Sequence, residues 1–456
     1  MKKQLIYMFV STLALTMTSC SKDDDNGIQK SVKSSAKQIT SFVFKAVDNN
    51  AITEDVTAVI NETNKTISGI VANGTDVTSL TPTIVVSEKA VIDQTGAKDF
   101  SNPVVYTLTA EDGTTIDYQV ILEITLTERD ALIAIYNANP NNTLDWDLND
   151  PDINNCQGVS TNEEGHVFQL NLSNHEIEKI PSEIKRLYHL QKLELYTNKL
   201  SSLPPEIGKL NNLLELGIDK NNLVSLPAEI GQLFNLAYFS VSNNSLSKLP
   251  FEIGNLKALV ELNFPFNNLK SLPSTIGNLK GLVGLQLQGN NLNILPPEIG
   301  ELSNLKYLSL DDNKLTELPT QIGDLSELIV LRLEKNQLTA LPPEIGKLIK
   351  LDNLRVDFNN LTLLPTEIEN MVSLKDLFVS NNLLTLIPKE LGQLEDLGFL
   401  VLNNNKLAKI PIEIGNLTNL RRLYLTTNLL TSIPQEVCKL EDTGTEIQLD
   451  PDVKCE

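Results

Sequence analysis

A repeating pattern of leucine and polar positions covers most of the chain, with a period of 23 residues. One unit runs L-x-x-L-x-L-x-x-N-x-L-x-x-L-P-x-E-I-G-x-L from Leu190 to Leu210. Leu193 and Leu195 alternate with other residues, which predicts a short strand that buries its leucines and turns the intervening side chains outward. The Pro-x-Glu-Ile-Gly segment favours a short helical turn on the other side of the unit, with proline at its start and glycine ending it.

Twelve such units follow one another without an insertion. Each contains a proline, and these are Pro181, Pro204, Pro227, Pro250, Pro273, Pro296, Pro319, Pro342, Pro365, Pro388, Pro411 and Pro434. Six residues before the proline lies His175 in the first unit and an asparagine in the other eleven, from Asn198 to Asn428. The chain turns through the interior at this point, and an asparagine amide can both donate to and accept from its backbone groups. We therefore expect a ladder of asparagines beside stacked parallel strands, with His175 as a polar substitute.

This pattern resembles the leucine-rich-repeat family, specifically its 23-residue class, over about 270 residues. The resemblance implies an α/β leucine-rich-repeat solenoid with one parallel sheet along a concave face. No repeat buries its leucines alone, so neighbouring repeats must supply the stability. We expect the repeats to span residues 166–436, with an N-terminal cap over 128–165 and a C-terminal cap over 437–456.

The two caps contain three of the four cysteines. Glu128–Tyr136 predicts a short amphipathic helix, and the chain's single tryptophan and then Cys156 follow it. This arrangement resembles the N-terminal cap of extracellular leucine-rich-repeat proteins, although Ser160 occupies the place of that family's second cysteine. We therefore expect Cys156 to be unpaired. Cys438 and Cys455 flank a loop of 16 residues, and we predict a disulfide bond that closes the last repeat and suits an oxidising compartment.

Between residues 38 and 127 the pattern changes to short runs rich in valine, isoleucine, threonine and aromatic residues. The runs are Ile39–Val47, Val56–Ile60, Thr66–Val71, Thr83–Val86, Val104–Ala110 and Tyr118–Ile124. Strands at this spacing without intervening helices predict a β-sandwich. The segments Thr75–Ile84 and Asp99–Gly113 resemble Ig-like repeat domains that follow the lipid anchor in many Bacteroidota lipoproteins. The resemblance implies a small all-β Ig-like sandwich that acts as a spacer.

The first residues have the layout of an export signal. Two lysines precede the apolar run Leu5–Met17, which is too short for a stable helix across a bilayer of roughly 30 Å. The segment Met17–Cys20 resembles a bacterial lipobox. This resemblance implies a lipoprotein signal peptide over residues 1–19 and acylation of Cys20, which becomes the new N-terminus.

A charged tract follows the expected lipidation site. Ser21–Asp25 resembles the lysine-plus-acidic tract that sends Bacteroidota lipoproteins to the outer face of the outer membrane. The alternative is a solvated charge run on a flexible tether, which we predict over residues 20–37 in either case. We expect an outer-membrane lipoprotein exposed at the cell surface and held to the membrane by its lipid alone.

Charge and motif content exclude several functions. With 37 basic and 58 acidic residues the net charge is −21, which repels phosphate backbones, so nucleic acid is not an expected partner. The three histidines, His166, His175 and His189, form no catalytic arrangement that the sequence reveals. The Asp145–Asn149 segment has calcium-loop spacing, but Asp150 occupies the place of the required glycine, which favours a solvated loop. We predict a non-enzymatic protein without cofactor or metal.

The outward strand positions differ between units while the leucines do not, as on a binding surface built on a fixed scaffold. The candidate ligand-binding residues are Phe358, Phe378, Phe399, Val401 and Tyr424, with charged neighbours Arg332, Arg355 and Asp357. At about 4.8 Å between strands, Phe378, Val401 and Tyr424 form a contiguous ridge beside Phe399. Such a cluster predicts a hot spot for a protein partner. Alternatively, the rings pack on one another and stiffen the sheet.

The sequence is compatible with three functions. The leading hypothesis is capture of a protein from a host or a neighbouring cell, because the family resemblance implies protein ligands. The alternative is a glycan- or nutrient-capture component at the outer membrane, in which Tyr238, Tyr307 and Tyr424 stack on sugars. An intracellular signalling scaffold fits some relatives with 23-residue repeats but conflicts with the export signal.

Overall fold

The structure, a computed structural model, describes residues 32–456 apart from 73 and 126. The chain divides after Thr125 into two compact units. The predicted signal peptide, Cys20 and most of the predicted tether lie outside the described residues. Within residues 32–456, without 73 and 126, every helix is too short or too polar to span a lipid bilayer.

The N-terminal unit is an all-β sandwich, as the strand-rich pattern predicts. Its strands are β1 (Ile39–Phe44), β2 (Val56–Thr57), β3 (Val59–Asn61), β4 (Thr66–Ala72), β5 (Pro82–Val86), β6 (Val91–Ile92), β7 (Val104–Thr109) and β8 (Thr115–Thr125), with a 3-10 turn at Ala46–Asp48. One sheet has the order β2-β1-β5 and the other the order β3-β4-β8-β7-β6. Phe42 of β1 and Tyr106 of β7 pack edge to face with ring centroids 5.5 Å apart, so both sheets contribute to one core.

Two details of the sandwich differ from the expectation. Strand β6 pairs with the edge of β7 and was not predicted, because two apolar residues are too short a run to show a period. The backbone N–H of Ser34 donates to the Glu111 carboxylate at 2.9 Å. Ser34, within the segment predicted as tether, therefore contacts the sandwich.

The second unit is a stack of twelve repeats along one 14-stranded sheet. Helix α1 (Glu128–Ala138) and strand β9 (Val159–Thr161) come before the repeats. The repeat strands are β10 (Val167–Asn171), β11 (Lys192–Glu194), β12 (Glu215–Gly217), β13 (Tyr238–Ser240), β14 (Glu261–Asn263), β15 (Gly284–Gln286), β16 (Tyr307–Ser309), β17 (Val330–Arg332), β18 (Asn353–Arg355), β19 (Asp376–Phe378), β20 (Phe399–Val401) and β21 (Arg422–Tyr424). After them come β22 (Ser432–Ile433), α2 (Gln435–Cys438), β23 (Glu446–Gln448) and β24 (Lys454–Cys455).

Each repeat strand pairs in parallel with the next, and the inward leucines form one continuous core. Leu193, for example, lies opposite Leu216. Strand β9 is antiparallel to β10 at one end, and β23 extends the sheet in parallel from β21 at the other. The far side of the repeats consists of 3-10 turns at Ser182–Arg186, Pro205–Lys209, Ala228–Gln232, Phe251–Asn255, Ser274–Asn278, Pro297–Glu301, Thr320–Asp324, Pro343–Lys347, Thr366–Asn370, Lys389–Gln393 and Ile412–Asn416. Two further 3-10 turns lie in the caps, at Ile153–Asn155 and Lys439–Thr443.

The asparagine ladder forms as predicted. Asn221 accepts a hydrogen bond from the N–H of Leu200 at 2.9 Å and donates to the carbonyl oxygens of Leu195 at 2.8 Å and Ile218 at 3.1 Å. The same three contacts recur at Asn290 and in most other repeats. Each asparagine therefore joins its own repeat to the preceding one through buried backbone groups.

Cap residues bond to the first repeat beside the ladder position of His175. Asn139, just after α1, accepts hydrogen bonds from the N–H groups of Glu178 at 2.7 Å and Lys179 at 2.8 Å. His175 places its ring Nδ1 3.0 Å from the hydroxyl oxygen of Thr143. His175 thus holds the ladder position as a polar residue, and its ring contacts the cap through Thr143.

The glycine of the Pro-x-Glu-Ile-Gly segment has a different role from the predicted one. Gly277 lies inside the turn Ser274–Asn278, where it is buried, and does not end it. A Cβ atom at Gly277 would lie 2.5 Å from the carbonyl oxygen of Glu298 in the next repeat. Glycine therefore allows successive turns to pack closely, and the prediction that it terminates the turn is wrong.

Both ends of the stack are closed by capping structure. Thr127 and Asp130 form a capping box at the start of α1. Cys438 of α2 and Cys455 of β24, the pair expected from the sequence, form a disulfide bond with an S–S distance of 2.04 Å. Cys156 has no disulfide partner among the described cysteines. The caps thus cover the first and last leucine layers, which no neighbouring repeat can cover.

Candidate ligand-binding surface

The outward side chains of β10–β21 form three rows along the sheet, and we call this surface the strand face. The first row contains Lys192 and its equivalents at every 23rd residue, the second Glu194 and its equivalents, and the third Tyr196 and its equivalents. The parallel register places members of one row on neighbouring strands about 4.8 Å apart. A ligand on this face would therefore contact several repeats at once.

Four of the five predicted apolar residues come together on the strand face. In the second row Phe378 lies opposite Val401, and Val401 lies opposite Tyr424. Phe399 lies in the first row on the same strand as Val401. All four side chains are partly exposed. We call these four residues the aromatic patch.

Arginine side chains cover two of the rings in the aromatic patch. The Arg355 guanidinium lies 4.5 Å from the ring centroid of Phe378, and that of Arg422 lies 5.4 Å from the ring centroid of Phe399. At these distances a cation is attracted to the face of an aromatic ring. Arg422 was not among the predicted site residues, although the 23-residue period already places it opposite Phe399. The patch therefore combines apolar surface with positive charge.

Phe358 does not join the aromatic patch. It comes three residues after strand β18, in a turn where its φ angle is +55°, and its side chain is exposed. It thus belongs to the turns beside the strand face and not to the three rows. Arg332 lies opposite Arg355 in the second row and is exposed. The two arginines extend the second row with positive charge on the N-terminal side of the patch.

Three carboxyl groups lie beside these arginines in the third row. Burial raises the pKa of the carboxyl groups of Asp311, Glu334 and Asp357. Glu334 Oε1 lies 4.0 Å from the Arg355 guanidinium, whereas its Oε2 atom is buried without a hydrogen-bond partner. Asp357, a predicted ligand residue, is only 8% exposed and accepts a hydrogen bond from the N–H of Ser380 at 2.8 Å. It therefore joins neighbouring repeats and offers little surface to a partner.

The side chains of the strand face can therefore stack on a ligand, form ion pairs with it and form hydrogen bonds to it.

In the part of the chain that the structure describes, no group of three or more histidine, cysteine, aspartate or glutamate side chains is arranged to hold a metal ion. Asp147, in the loop with calcium-like spacing, accepts a hydrogen bond from the N–H of Asn149 at 2.9 Å and so forms a local turn. His166 and His189 stack on each other with ring centroids 3.9 Å apart.

A stack of repeats with a varied strand face is a scaffold that presents an extended recognition surface. The model described as leucine-rich repeat region matches residues 221–305 and 292–400, and the model described as SGBP, N-terminal matches residues 30–122. A leucine-rich-repeat protein of Leptospira interrogans is 40% identical, with a TM-score of 0.52, and the match covers 62% of this chain and 79% of that one. This chain belongs to the leucine-rich-repeat family and contains an SGBP N-terminal domain before the repeats.

Two further solved structures are similar to this chain. A leucine-rich-repeat protein of Bacteroides eggerthii has a TM-score of 0.55 at 17% identity, over 72% of this chain and 78% of that one, which shows a shared fold. Toll, from the Toll–Spatzle complex of Drosophila, is 25% identical with a TM-score of 0.53 over 61% of this chain, and the match covers 38% of that chain. The comparison with curated proteins gives no significant match.

Proposed function

We propose that this protein is a non-enzymatic binding protein of the cell surface that captures a protein partner on the aromatic patch. The observation that carries the proposal is the register of Phe378, Val401 and Tyr424, which places three apolar side chains in one unbroken row. Protein interfaces concentrate their binding energy in a few aromatic and arginine residues near the centre. The patch supplies both kinds of residue, because Arg355 and Arg422 stack on its rings.

The charged side chains beside the aromatic patch would orient a bound protein partner. Arg332 and Arg355 lie in the second row, while the partly buried carboxyl groups of Asp311 and Glu334 lie in the third row next to them. Opposite charges on neighbouring rows favour one orientation of a partner and penalise mismatched ones. The similar structure of Toll was solved as a complex with Spatzle, which supports a protein as the kind of partner.

The proposal includes a position in the cell. Acylation of Cys20 would anchor the chain in the outer membrane, with the SGBP N-terminal domain as a spacer before the repeats. The disulfide between Cys438 and Cys455 suits export to an oxidising compartment. Protease treatment of intact cells, followed by an antibody against the repeats, tests the position. Loss of the antibody signal is expected, whereas protection until the outer membrane is broken would place the repeats in the periplasm.

Site-specific crosslinking tests the binding surface. A photo-reactive amino acid at position 401 lies in the patch, and one at position 412 lies in the 3-10 turn on the other side of the same repeat. Ile412 is exposed and apolar, so it controls for nonspecific adducts. We expect a protein adduct from position 401 alone on irradiated cells in contact with host or neighbouring cells. Equal adducts from both positions, or none from 401, would contradict the proposal.

A double variant separates binding from packing. Phe378→Ala with Phe399→Ala removes the two rings that arginines cover, and both side chains are already partly exposed. We expect the adduct at position 401 to disappear while the melting temperature changes little. A large fall in the melting temperature would support the alternative in which these rings stiffen the sheet.

A further inference from the structure

A second region of the strand face, in repeats four to seven, has a different chemistry from the aromatic patch. Tyr238 and Tyr307 both lie in the first row and are 49% and 48% exposed. The register from β13 to β16 places two strands between them, so about 14 Å separates the two tyrosines along the sheet. Two exposed rings at this separation form a pair of stacking platforms with a gap between them.

The gap between the tyrosines contains a glycine and a carboxylate. Gly284 has no side chain, and the carboxylate of Glu261 from the neighbouring strand occupies the space where a Cβ atom would be. Glu261 makes neither a hydrogen bond nor an ion pair through its side chain within the described residues. Burial raises the pKa of this carboxyl group. The Glu261 carboxylate therefore forms the floor of the gap above Gly284, as an acceptor without a partner among the described residues.

Three amide side chains lie beside this gap in the second and third rows. Asn263, Gln286 and Gln288 make no side-chain hydrogen bond with any residue that the structure describes. The Oδ1 atom of Asn263 and the Oε1 atom of Gln288 are also buried from solvent. A buried acceptor without a partner costs free energy, so these amides favour a ligand that brings hydrogen-bond donors to them.

The charge of this region narrows the ligand class. In the three rows of repeats four to seven, Glu261 and Asp311 are the only charged side chains, and both are carboxyl groups. The acceptors and donors are otherwise neutral, and Glu261 repels an anionic ligand. Sugar hydroxyl groups both donate and accept hydrogen bonds, and the apolar faces of sugar rings stack on aromatic rings. We propose that the strand face between Tyr238 and Tyr307 is a binding site for a neutral oligosaccharide that lies across β13–β16.

This site is separate from the aromatic patch, and its ligand does not depend on the protein-binding proposal. An extended sugar chain can stack on Tyr238 at one end and on Tyr307 at the other, while its hydroxyl groups reach Glu261 and the amides between them. A protein partner fits less well, because the gap has no apolar anchor and no arginine.

An oligosaccharide array with the purified full chain tests the proposal. The array contains neutral glucans, mannans, xylans and galactans together with acidic uronic-acid chains. We expect binding to one neutral class and not to the acidic chains. For that class, Tyr238→Ala and Tyr307→Ala each weaken binding by about tenfold or more in titration calorimetry, since each removes one stacking platform. Absence of binding to every neutral chain by the folded protein would overturn the proposal.

Three further variants sharpen this test. Gly284→Ala fills the gap and displaces only the flexible end of Glu261, so the fold tolerates it while sugar binding falls. Tyr188→Ala removes a tyrosine that is 51% exposed outside the strand rows, and binding is unchanged. Phe378→Ala alters the aromatic patch alone, and sugar binding again persists. Binding that survives both Tyr238→Ala and Tyr307→Ala, or that is lost with Phe378→Ala, would contradict this site.

Discussion

At the scale of single residues, each ladder asparagine pairs three backbone groups that the strands and turns leave free. Asn313 accepts a hydrogen bond from the N–H of Leu292 and donates to the carbonyl oxygens of Leu287 and Leu310, each at 3.0 Å. Asn313→Ala leaves the N–H of Leu292 buried without a partner, whereas the carbonyl oxygens of Leu287 and Leu310 keep their bonds from Asn290 and Asn336. We expect the free energy of unfolding to fall by about 2 kcal/mol in urea denaturation followed by circular dichroism.

Asn304, which lies nine residues before Asn313, provides a matched control for this prediction. Asn304 donates to the carbonyl oxygen of Lys280 at 2.7 Å, but that pair is exposed to solvent. Water can replace the lost partner, so Asn304→Ala lowers the free energy of unfolding by about 0.5 kcal/mol or less. Equal losses in the two variants would show that burial of the ladder is not what makes it stabilising.

The buried carboxyl group of Glu334 gives a prediction about pH. Its folded-state pKa lies above the ordinary value of 4.5, mainly because burial disfavours the charged form. The folded state therefore binds the proton more tightly than the unfolded state, and stability falls as the pH rises from about 4.5 through the folded pKa. Glu334→Gln removes this loss. The variant should match the parent protein in stability near pH 4 and exceed it at pH 7 in parallel thermal melts; the same difference at both pH values would contradict the assignment.

At the scale of elements, the C-terminal cap depends on a short covalent closure. Strand β24 pairs with β22 through only two residues, and the disulfide between Cys438 and Cys455 holds this pair. Replacing both cysteines by serine should destabilise the cap by about 3 kcal/mol, because the disulfide removes the conformational entropy that a loop of this length has in the unfolded chain. Hydrogen exchange should accelerate in β22–β24 and stay unchanged at β15. Cys156→Ser, which removes a cysteine outside any disulfide, serves as the control.

Intact-mass measurement checks the premise of this prediction. The parent protein should gain the mass of two hydrogen atoms on reduction, and the double variant should gain none. Free thiols at Cys438 and Cys455 in the unreduced protein would contradict the closed cap.

The strands and turns that recur in every repeat could be predicted from the sequence, whereas elements that occur only once could not. The 23-residue period predicts the position of every repeat strand and of the short helical turn after it, because each unit repeats the same alternation of leucine and outward residues. Strand β9 and the hydrogen bonds of Asn139 to the first repeat occur once, in a cap where no repetition reveals them. Strand β6 of the sandwich is missed because its two apolar residues are too short a run to show a period.

In the candidate site, the period predicts which residues lie opposite one another, but it does not predict how their side chains pack. The register of Phe378, Val401 and Tyr424 follows from the period alone and is confirmed. The covering of Phe378 by Arg355 depends on side-chain conformation, which a linear pattern does not specify. Burial of Asp357 is also hidden in the sequence, because it depends on the hydrogen bonds that this carboxylate accepts from Ser380 in the next repeat.

At the scale of the whole molecule, the repeats make the stack nearly one-dimensional. Every strand and turn contacts its neighbours in the stack, and the ladder joins each repeat to the one before it. Stability in such an array is close to a sum of repeat and interface contributions. Removing one complete period should therefore shorten the stack without changing the contacts of the remaining repeats.

A deletion of Lys199–Asn221 tests this additivity. It removes one 23-residue period, including β12, and joins Asn198 to Asn222. Asn244 donates to the carbonyl oxygen of Ile218 in the intact chain. In the deletion variant the carbonyl oxygen of Leu195 takes the place of that acceptor. We expect a folded protein with slightly lower stability and one strand fewer, and circular dichroism with size-exclusion chromatography measures both.

The control removes Lys199–Leu210, which is about half a period. That change deletes the turn that returns the chain, and parallel neighbours cannot pair without such a crossover. We therefore expect loss of the cooperative unfolding transition. If the full-period deletion lost that transition as well, the repeats would not be interchangeable units, and stability would depend on contacts beyond nearest neighbours. If it folds, the oligosaccharide site and the aromatic patch should both persist, because neither includes residues of the deleted repeat.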